Sequence, residues 1–264
     1  MANLQDMDTL RFVSLLWGPP KVGKTVLASQ FPNPHFVDLD KGITSVLSMT
    51  RRQGLKVNFP VYQIDEGPSE DPQVIELAGK TIASKGGWVA ADKLIRELLR
   101  ILPLDATLIV DNLTRLGEFL VNYLKKLGGL SQLRIQDWGQ FVSMVSNLME
   151  AIYSASYKPN VLLVAHEQII KDELTGKVEK HLLFPTSQKY RIPTVVGDLW
   201  YLTYIWKGKE VSRVLKTSVE RQAALGSRIG VPNIEEPTYE KIRTYIGDAL
   251  GRELPPPTWT PKGG

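Results

Sequence analysis

The sequence predicts one α/β domain built on a mostly parallel central sheet, with an antiparallel extension toward the C-terminus. Two observations carry this prediction. Between residues 10 and 165, short apolar runs alternate with segments whose apolar residues recur every three or four positions, as strands alternating with helices do. After residue 168 the pattern changes to pairs of strand-like runs around Gly176 and Gly208, which is typical of hairpins.

The strands of the parallel part end in polar residues. Residues 10–17 form an apolar run that stops at a Gly-Pro-Pro loop, and a helix begins at Lys24. The run 36–40 carries carboxylates at its C-terminal end, and two further buried runs end at Asp111 and His166. Because the carboxyl ends of parallel strands meet at one edge of a sheet, we expect these polar residues to line one crevice.

The composition sets the outer limits of the domain. We expect a flexible arm at residues 1–9, one domain at 10–250, an exposed loop with a helical fragment at 66–87, and a mobile Pro-rich tail at 251–264. The chain has 264 residues, which is enough for one large domain with its own core. It contains no cysteine, so disulfide and thiolate chemistry are excluded, and its three histidines are not clustered.

Charge and hydropathy narrow the functional classes. The net charge of +4 permits nucleic-acid binding without requiring it. The apolar runs are too short to span a bilayer, and the N-terminus has no signal-peptide core. We therefore expect a cytoplasmic protein with no membrane partner.

The segment GPPKVGKT at residues 18–25 matches the phosphate-loop motif at every fixed position, and it lies between a strand and a helix as that motif requires. Its glycines permit the tight turn that aims backbone N–H groups at phosphates. Lys24 would bring positive charge to the β- and γ-phosphates, and the Thr25 hydroxyl would bind Mg²⁺. We predict a site for ATP and Mg²⁺. Its residues are Gly18, Pro19, Pro20, Lys21, Val22, Gly23, Lys24, Thr25 and Val26.

Two aspartates at strand ends complete the predicted site. Asp111 can hold Mg²⁺ partly through water, and its alternative role is to cap the helix that follows. Residue 112 is asparagine rather than glutamate, so a catalytic carboxylate must come from another strand. Asp40 is the predicted base, with a turn role as the alternative, and Asp38 lies deeper in the same strand. His166 can contact the γ-phosphate or simply end its strand.

In this order, these segments resemble the RecA-like ATPases, and most closely the phage single-strand annealing recombinases of the Sak-four type. The resemblance covers residues 10–232 and rests on GPPKVGKT, FVDLD, TLIVDNLT, QDWG, LLVAHE, VGDLWYL and RVLKTSVERQAALGSR. It implies a RecA-like P-loop core, ATP at a subunit interface, self-association into a ring or filament, and binding of single-stranded DNA. Asp40 and His166 match the family's catalytic acid and polar sensor, where Glu and Gln are usual.

The resemblance also implies two DNA-binding loops, at about residues 128–137 and 168–190. Both segments carry cations with aromatic side chains nearby, a combination that holds single strands without sequence preference. The alternative is a helical kink with Trp138 in the core, followed by a solvated hairpin. The predicted DNA-binding residues are Lys126, Arg134, Trp138, Lys171, Lys177, Lys180, Lys189, Tyr190 and Arg191.

In RecA-like assemblies, a cation from the neighbouring subunit reaches the γ-phosphate. The last hairpin offers Arg213, Lys216 and Arg221 for this role across the interface, and an ordinary exposed basic face is the alternative. The tail around Trp259 is a predicted contact for a single-strand-binding protein.

We therefore predict an ATPase stimulated by single-stranded DNA that acts in phage-type recombination and is encoded by a phage or prophage. Its predicted catalytic residues are Lys24, Asp40, Asp111, His166 and Lys216. Two alternatives stay open. One is a nucleotide-switch scaffold that recruits proteins without acting on DNA. The other is a small-molecule kinase, which the hairpins after residue 168 disfavour.

Overall fold

The computed structural model describes residues 11–67, 74–154, 158–171, 173–174, 176–218, 223 and 225–261. The strands are β1 (Val13–Gly18), β2 (Pro34–Asp38), β3 (Val61–Gln63), β4 (Val74–Leu77), β5 (Lys80–Ala83), β6 (Thr107–Asp111), β7 (Asn160–Lys171), β8 (Val178–Leu182), β9 (Asp198–Lys207), β10 (Glu210–Lys216), β11 (Gly226–Ser227) and β12 (Ile234–Glu235). The helices are α1 (Lys24–Ala28), α2 (Thr44–Arg52), α3 (Trp88–Ile101), α4 (Leu113–Gly128), α5 (Ile135–Tyr153), α6 (Gln188–Val195) and α7 (Tyr239–Leu250).

Within the described residues, ten strands form one sheet in the order β12-β10-β9-β1-β7-β6-β2-β3, with β11 beside β9 and β8 beside β7. The six strands from β9 to β3 in this order run parallel. From β9 the sheet continues antiparallel into β10 and β12. This arrangement confirms the predicted α/β fold, with a mostly parallel central sheet and an antiparallel C-terminal extension.

The register of the parallel strands determines which residues meet at the carboxyl edge of the sheet. Gly18 at the end of β1 is paired with His166 on β7. Asp38 at the end of β2 is paired with Asp111 at the end of β6. Every residue of β1 is buried, as expected for a central parallel strand covered on both faces. The predicted crevice of polar strand ends is therefore present.

The sheet separates two apolar clusters. Helices α3, α4 and α5 pack on one face, each burying the apolar stripe that its sequence pattern predicts. Helices α1 and α7 pack on the other face. The short helix α1, which begins at the phosphate loop, is thus sandwiched between the sheet and the C-terminal part of the chain.

One local expectation from the sequence is wrong, and two other features were not expected. Within residues 66–87, the structure has the β4–β5 hairpin in place of an exposed loop with a helical fragment, and residues 68–73 lie outside the described residues. The hairpin is anchored because Lys80 Nζ donates to Glu97 Oε2 of α3 at 2.8 Å. Helix α6 forms despite the internal Pro193. Strand β9 pairs parallel with β1, so the core sheet extends further along the sequence than expected.

The expected mobility of the C-terminal tail is also wrong for residues 251–261. Leu254 and Trp259 are only 3% and 6% exposed and belong to the cluster around α1 and α7. The Trp259 indole donates to the carbonyl oxygen of Ser29 at 3.1 Å and to its hydroxyl at 3.0 Å. Because this side chain is buried, it offers no surface to the predicted single-strand-binding partner. The predicted arm at 1–9 lies outside the described residues.

Among the residues with a described placement, no helix is long and apolar enough to cross a membrane.

Candidate nucleotide-binding and catalytic site

The phosphate loop connects β1 to α1, and glycine is required at both of its ends. A Cβ on Gly18 would lie 2.1 Å from the carbonyl oxygen of Leu202, because β9 passes directly against the loop. Gly23 has φ +98° and is the N-cap of α1, a conformation that L side chains rarely adopt. The turn therefore depends on both glycines that the motif contains.

Lys24 turns back over this loop. Its Nζ donates to the carbonyl oxygens of Gly18 at 3.0 Å and Pro19 at 2.7 Å, and it lies 3.3 Å from His166 Nδ1. The side chain is buried, and burial lowers the pKa of Lys24 to about 8, although the nearby carboxylate of Asp111 acts in the opposite direction. A buried ammonium at a helix N-terminus is the arrangement that phosphate oxygens complete.

Thr25 and Asp111 form the second part of the site. The Thr25 hydroxyl donates to Asp111 Oδ2 at 2.6 Å, which joins the start of α1 to the end of β6. Burial raises the pKa of Asp111 to about 7, and the negative charges of Asp40 and Asp38 add to this increase while the Thr25 hydrogen bond opposes it. The site thus contains more buried negative charge than its own residues neutralise.

Gly42 leaves the space that a cation needs. A Cβ at this position would lie 3.1 Å from Asp40 Oδ1, 3.1 Å from Thr25 Oγ1 and 3.3 Å from Asp111 Oδ2. Oxygen ligands around a glycine-lined space suit Mg²⁺, which keeps several waters and takes few protein ligands. No group of three or more His, Cys, Asp or Glu in the described residues could hold a metal ion. The fit therefore relies on Thr25, Asp111 and oxygens from nucleotide or water.

Asp38 is the last residue of β2, whereas Asp40 lies in the loop that follows it. Asp38 is buried at the end of the strand, where it accepts from the Gly42 N–H at 3.0 Å and from Gln63 Nε2 at 3.3 Å. Burial raises the pKa of Asp38. Asp40 lies two residues beyond the strand and is the more exposed of the two. The Gly42 N–H also donates to Asp40 Oδ1 at 3.1 Å, so both aspartates contact the turn, and Asp40 is the one that remains accessible to a reactant.

Asn112 connects the predicted site residues, and the sequence reasoning missed this role. Its Nδ2 donates to Asp40 Oδ2 and lies 3.1 Å from His166 Nε2. Its Oδ1 accepts from the Arg115 N–H at 2.8 Å, so Asn112 rather than Asp111 is the N-cap of α4. The peptide bond between Asp111 and Asn112 is cis. The signal in the sequence was its position, directly after the aspartate of a buried strand.

The predicted DNA-binding residues are dispersed over several surfaces. Lys180, Lys189 and Tyr190 line one cavity of about 370 Å³ between β8 and α6. Lys180 Nζ donates to the Tyr201 hydroxyl at 3.0 Å, and Lys189 lies over the Tyr190 ring. Lys171 and Lys177 are exposed near the ends of β7 and β8. We use the name β7–β8 hairpin surface for these residues of the hairpin and of the adjacent α6, which are Lys171, Lys177, Lys180, Lys189 and Tyr190.

The other predicted DNA-binding residues lie outside that surface. Arg134 is the N-cap of α5, and its Nη2 lies 3.0 Å from Asp137 Oδ1. Trp138 is half-buried with its ring centroid 5.5 Å from that of Phe141, so its main contacts are with the core. Lys126 lines a cavity beside α3 and Arg191 lines another beside α5.

The two predicted interface cations that the structure describes, Arg213 and Lys216, have different surroundings. Arg213 lies against the phosphate loop of its own chain, with Nη1 3.2 Å from the position of a Cβ on Gly23. Its Nη2 lies 3.1 Å from Glu236 Oε2. Lys216 ends β10, opposite Tyr201 of β9. Arg221 lies outside the described residues.

The fold and the loop define the class of the protein, which is a P-loop nucleotide-binding protein. A family model described as an AAA domain matches residues 11–229, and the chain belongs to this family of ATPases. No curated protein matches the sequence.

Two solved structures have similar folds, with the following coverage, identity and TM-score. The RadB recombinase is similar over 81% of this chain and 84% of that chain, at 13% identity and a TM-score of 0.43. A KaiC-like protein from Pyrococcus horikoshii OT3 is similar over 86% of this chain and 90% of that chain, at 13% identity and a TM-score of 0.45.

Proposed function

We propose that the protein binds ATP with Mg²⁺ at residues 18–26 and hydrolyses it. The observation that carries the proposal is the 2.6 Å hydrogen bond between Thr25 and Asp111 beside the buried Lys24. Thr25 and Asp111 are the residues that would hold Mg²⁺, which supplies charge neutralisation to the phosphates when bound. Backbone N–H groups of the loop and the Lys24 ammonium would hold the phosphate oxygens.

In the proposed reaction, Asp40 accepts a proton from a water molecule that attacks the γ-phosphate in line with the leaving oxygen. Asn112 positions Asp40 by donating to its carboxylate. His166 lies between Asn112 and Lys24, and in this proposal it contacts a γ-phosphate oxygen. Lys216 from a neighbouring subunit is the proposed cation that stabilises the charge of the transition state.

Two substitutions test this assignment. We expect Lys24→Ala to abolish ATP binding, because it removes the cation at the phosphates. We expect Asp40→Asn to keep ATP binding and to lower the hydrolysis rate by about 100-fold, since general bases contribute about 10²- to 10⁴-fold. Phosphate release and binding of a fluorescent ATP analogue measure the two effects. Unchanged hydrolysis in Asp40→Asn would exclude this residue as the base.

We further propose that the ATPase binds single-stranded DNA, assembles into a ring or filament, and promotes annealing or strand exchange in phage-type recombination. Strand β7 supports this coupling, since it runs from the nucleotide site at His166 into the β7–β8 hairpin surface. Exposed lysines and a half-exposed tyrosine supply the cations and the stacking platform that single strands need.

A gel-shift titration with labelled single-stranded DNA tests this second proposal. We expect binding that weakens as salt increases, because phosphate contacts release counterions. Joint substitution of Lys180 and Lys189 by glutamine should weaken binding. Substitution of Lys56 by glutamine should not, because Lys56 is an exposed residue in the segment between α2 and β3. DNA binding equal to wild type in the double variant would contradict the assigned surface.

The nucleotide-switch scaffold is the second candidate, and one observation favours it. Several of the predicted DNA-binding cations already have protein partners, such as Lys177, whose Nζ lies 2.6 Å from Glu179, and Lys180, which is bonded to Tyr201. A switch would bind ATP tightly and hydrolyse it slowly, at the same rate with and without DNA. The hydrolysis rate at saturating single-stranded DNA therefore separates the two candidates.

A further inference from the structure

Arg213 lies over the phosphate loop of its own chain. Its Nη1 is 3.2 Å from the point where a Cβ on Gly23 would stand. On the adjacent strand, Tyr204 is paired with Arg213, and its hydroxyl donates to the carbonyl oxygen of Lys21 at 3.2 Å. Two side chains from neighbouring positions of the β9–β10 hairpin thus contact two residues of the loop.

Glu236 holds this guanidinium in place. Its Oε1 accepts from the Arg213 backbone N–H at 2.7 Å, and its Oε2 accepts from Nε at 3.3 Å and Nη2 at 3.1 Å. The Glu236 N–H donates to the Arg213 carbonyl oxygen at 2.8 Å. These bonds leave Nη1, the nitrogen nearest the loop, without an acceptor among the described residues. The side chain is 29% exposed, so solvent and ligands can reach it.

We propose that Arg213 binds the phosphate groups of the nucleotide held by its own chain, with Glu236 as the residue that orients it. The inference rests on the proposed nucleotide site and deepens it. A guanidinium is always charged and its donors have fixed directions, so an oriented one with an unused donor suits an anionic oxygen. The phosphate chain is the anion that this loop is built to receive.

The proposal changes the role that the sequence predicts for Arg213. A guanidinium fixed by Glu236 against its own loop serves the same subunit, whereas the predicted role requires it to reach across an interface. The proposal also assigns a role to the antiparallel extension. Arg213 lies on β10 and Glu236 lies directly after β12, so the extension carries both members of the ion pair. The nucleotide would then be held between the P-loop and the hairpin.

The direct test is the affinity for a fluorescent ATP analogue. We expect Arg213→Gln to weaken binding by about 10- to 100-fold, which corresponds to the loss of one hydrogen bond to a charged group. The matched control is Lys209→Gln, which removes the same charge from the exposed turn of the same hairpin. Equal affinities for Arg213→Gln and wild type would overturn the proposal.

Glu236→Gln distinguishes binding from a structural effect. This variant removes the same ion pair but keeps the guanidinium, so we expect a clearly smaller loss of affinity than in Arg213→Gln. If both variants lose affinity equally, the effect runs through the structure of the hairpin and the proposal is wrong. Arg213→Lys should recover part of the loss, because it restores the positive charge without the fork of donors.

Mixing variants tests which subunit Arg213 serves. Lys24→Ala retains Arg213 but loses its own nucleotide site, so an excess of it could supply a cation to Arg213→Gln only across an interface. We expect no recovery of affinity in the mixture, and recovery would overturn the proposal.

The Lys24→Ala variant alone tests the proposed nucleotide site on which this inference rests. If it binds ATP like wild type, the proposed nucleotide site fails, whereas its failure to bind beside an unaffected Arg213→Gln refutes only the present inference.

Discussion

Burial in the same part of the site shifts the pKa values of Lys24 and Asp111 in the directions that favour their neutral forms. The pKa of Lys24 falls to about 8 and that of Asp111 rises to about 7, since desolvation disfavours each charge. Phosphate oxygens bind the charged form of Lys24, and Mg²⁺ binds the charged form of Asp111. Binding of phosphate should therefore raise the pKa of Lys24, and binding of Mg²⁺ should lower that of Asp111.

These shifts predict how affinity depends on pH. Above about pH 8, Lys24 must take up a proton to bind phosphate, and below about pH 7 Asp111 must release one to bind Mg²⁺. The affinity for Mg·ATP should therefore be greatest between pH 7 and 8 and fall on both sides, by at most about tenfold per pH unit for each group. Calorimetry in two buffers of different ionisation enthalpy measures the proton exchange. In Lys24→Arg, the alkaline fall should disappear, and its persistence would show that another group causes it.

Gly42 contributes no side chain to the proposed site, and the space that this leaves would accommodate the cation. In Gly42→Ala, the new methyl group would lie 3.1 Å from Thr25 Oγ1 and 3.3 Å from Asp111 Oδ2. We expect the Mg²⁺ concentration for half-maximal ATP hydrolysis to rise about tenfold, an effect of about 1.4 kcal/mol. Gly139→Ala is the control, since its Cβ would meet nothing within 4 Å. An unchanged Mg²⁺ requirement would place the ion elsewhere.

At the scale of elements, the start of α4 combines a helix cap with a contact to the proposed catalytic base. Asn112 caps the helix through Oδ1 and holds Asp40 through Nδ2. A serine can replace the first function but not the second, because its hydroxyl is a good cap and too short to reach Asp40. The two contributions of this residue can therefore be separated by choosing between serine and alanine.

Both variants should slow ATP hydrolysis by about tenfold or more, since each leaves Asp40 without the amide donor that positions it. Only Asn112→Ala should also lose the cap, which lowers the free energy of unfolding by about 1 kcal/mol relative to Asn112→Ser. Urea denaturation and phosphate release measure the two effects. Equal stability of the two variants would mean that the cap contributes nothing.

The sequence predicts elements well where their signals are local. The phosphate loop, the strand before it and the aspartate that ends β6 depend on a motif and on runs of adjacent apolar residues. The β4–β5 hairpin was not predicted, because its strands are short and half-exposed and are held by Glu97, which is distant in sequence. The roles proposed here for Asn112 and Arg213 were not predicted, because they depend on contacts between segments far apart in sequence.

At the scale of the whole molecule, the C-terminal segment completes the apolar cluster on one side of the sheet. Trp259 packs with this cluster and hydrogen-bonds to Ser29, directly after α1. The helix that begins at the phosphate loop is therefore supported at its far end by the last described part of the chain. The tail therefore supports the helix that begins at the phosphate loop, although it contains none of the proposed site residues.

Trp259→Ala should lower the free energy of unfolding by about 3–5 kcal/mol, the usual cost of removing a large buried aromatic side chain. Thr260→Ala, one residue further on and exposed, should leave stability within about 0.5 kcal/mol of wild type. Urea denaturation monitored by circular dichroism compares the two. If Trp259→Ala is as stable as its neighbour, the packing of the tail is not a source of stability.

The docking of Trp259 has a genetic consequence. A nonsense mutation just after the codon for Leu250 would spare every motif, every catalytic candidate and all the named helices and strands. The shortened product would nonetheless leave the pocket beside Ser29 without its indole. Such an allele should behave as a loss of function at elevated temperature, and suppressor mutations should map to the apolar residues around α1 and α7 rather than to the phosphate loop.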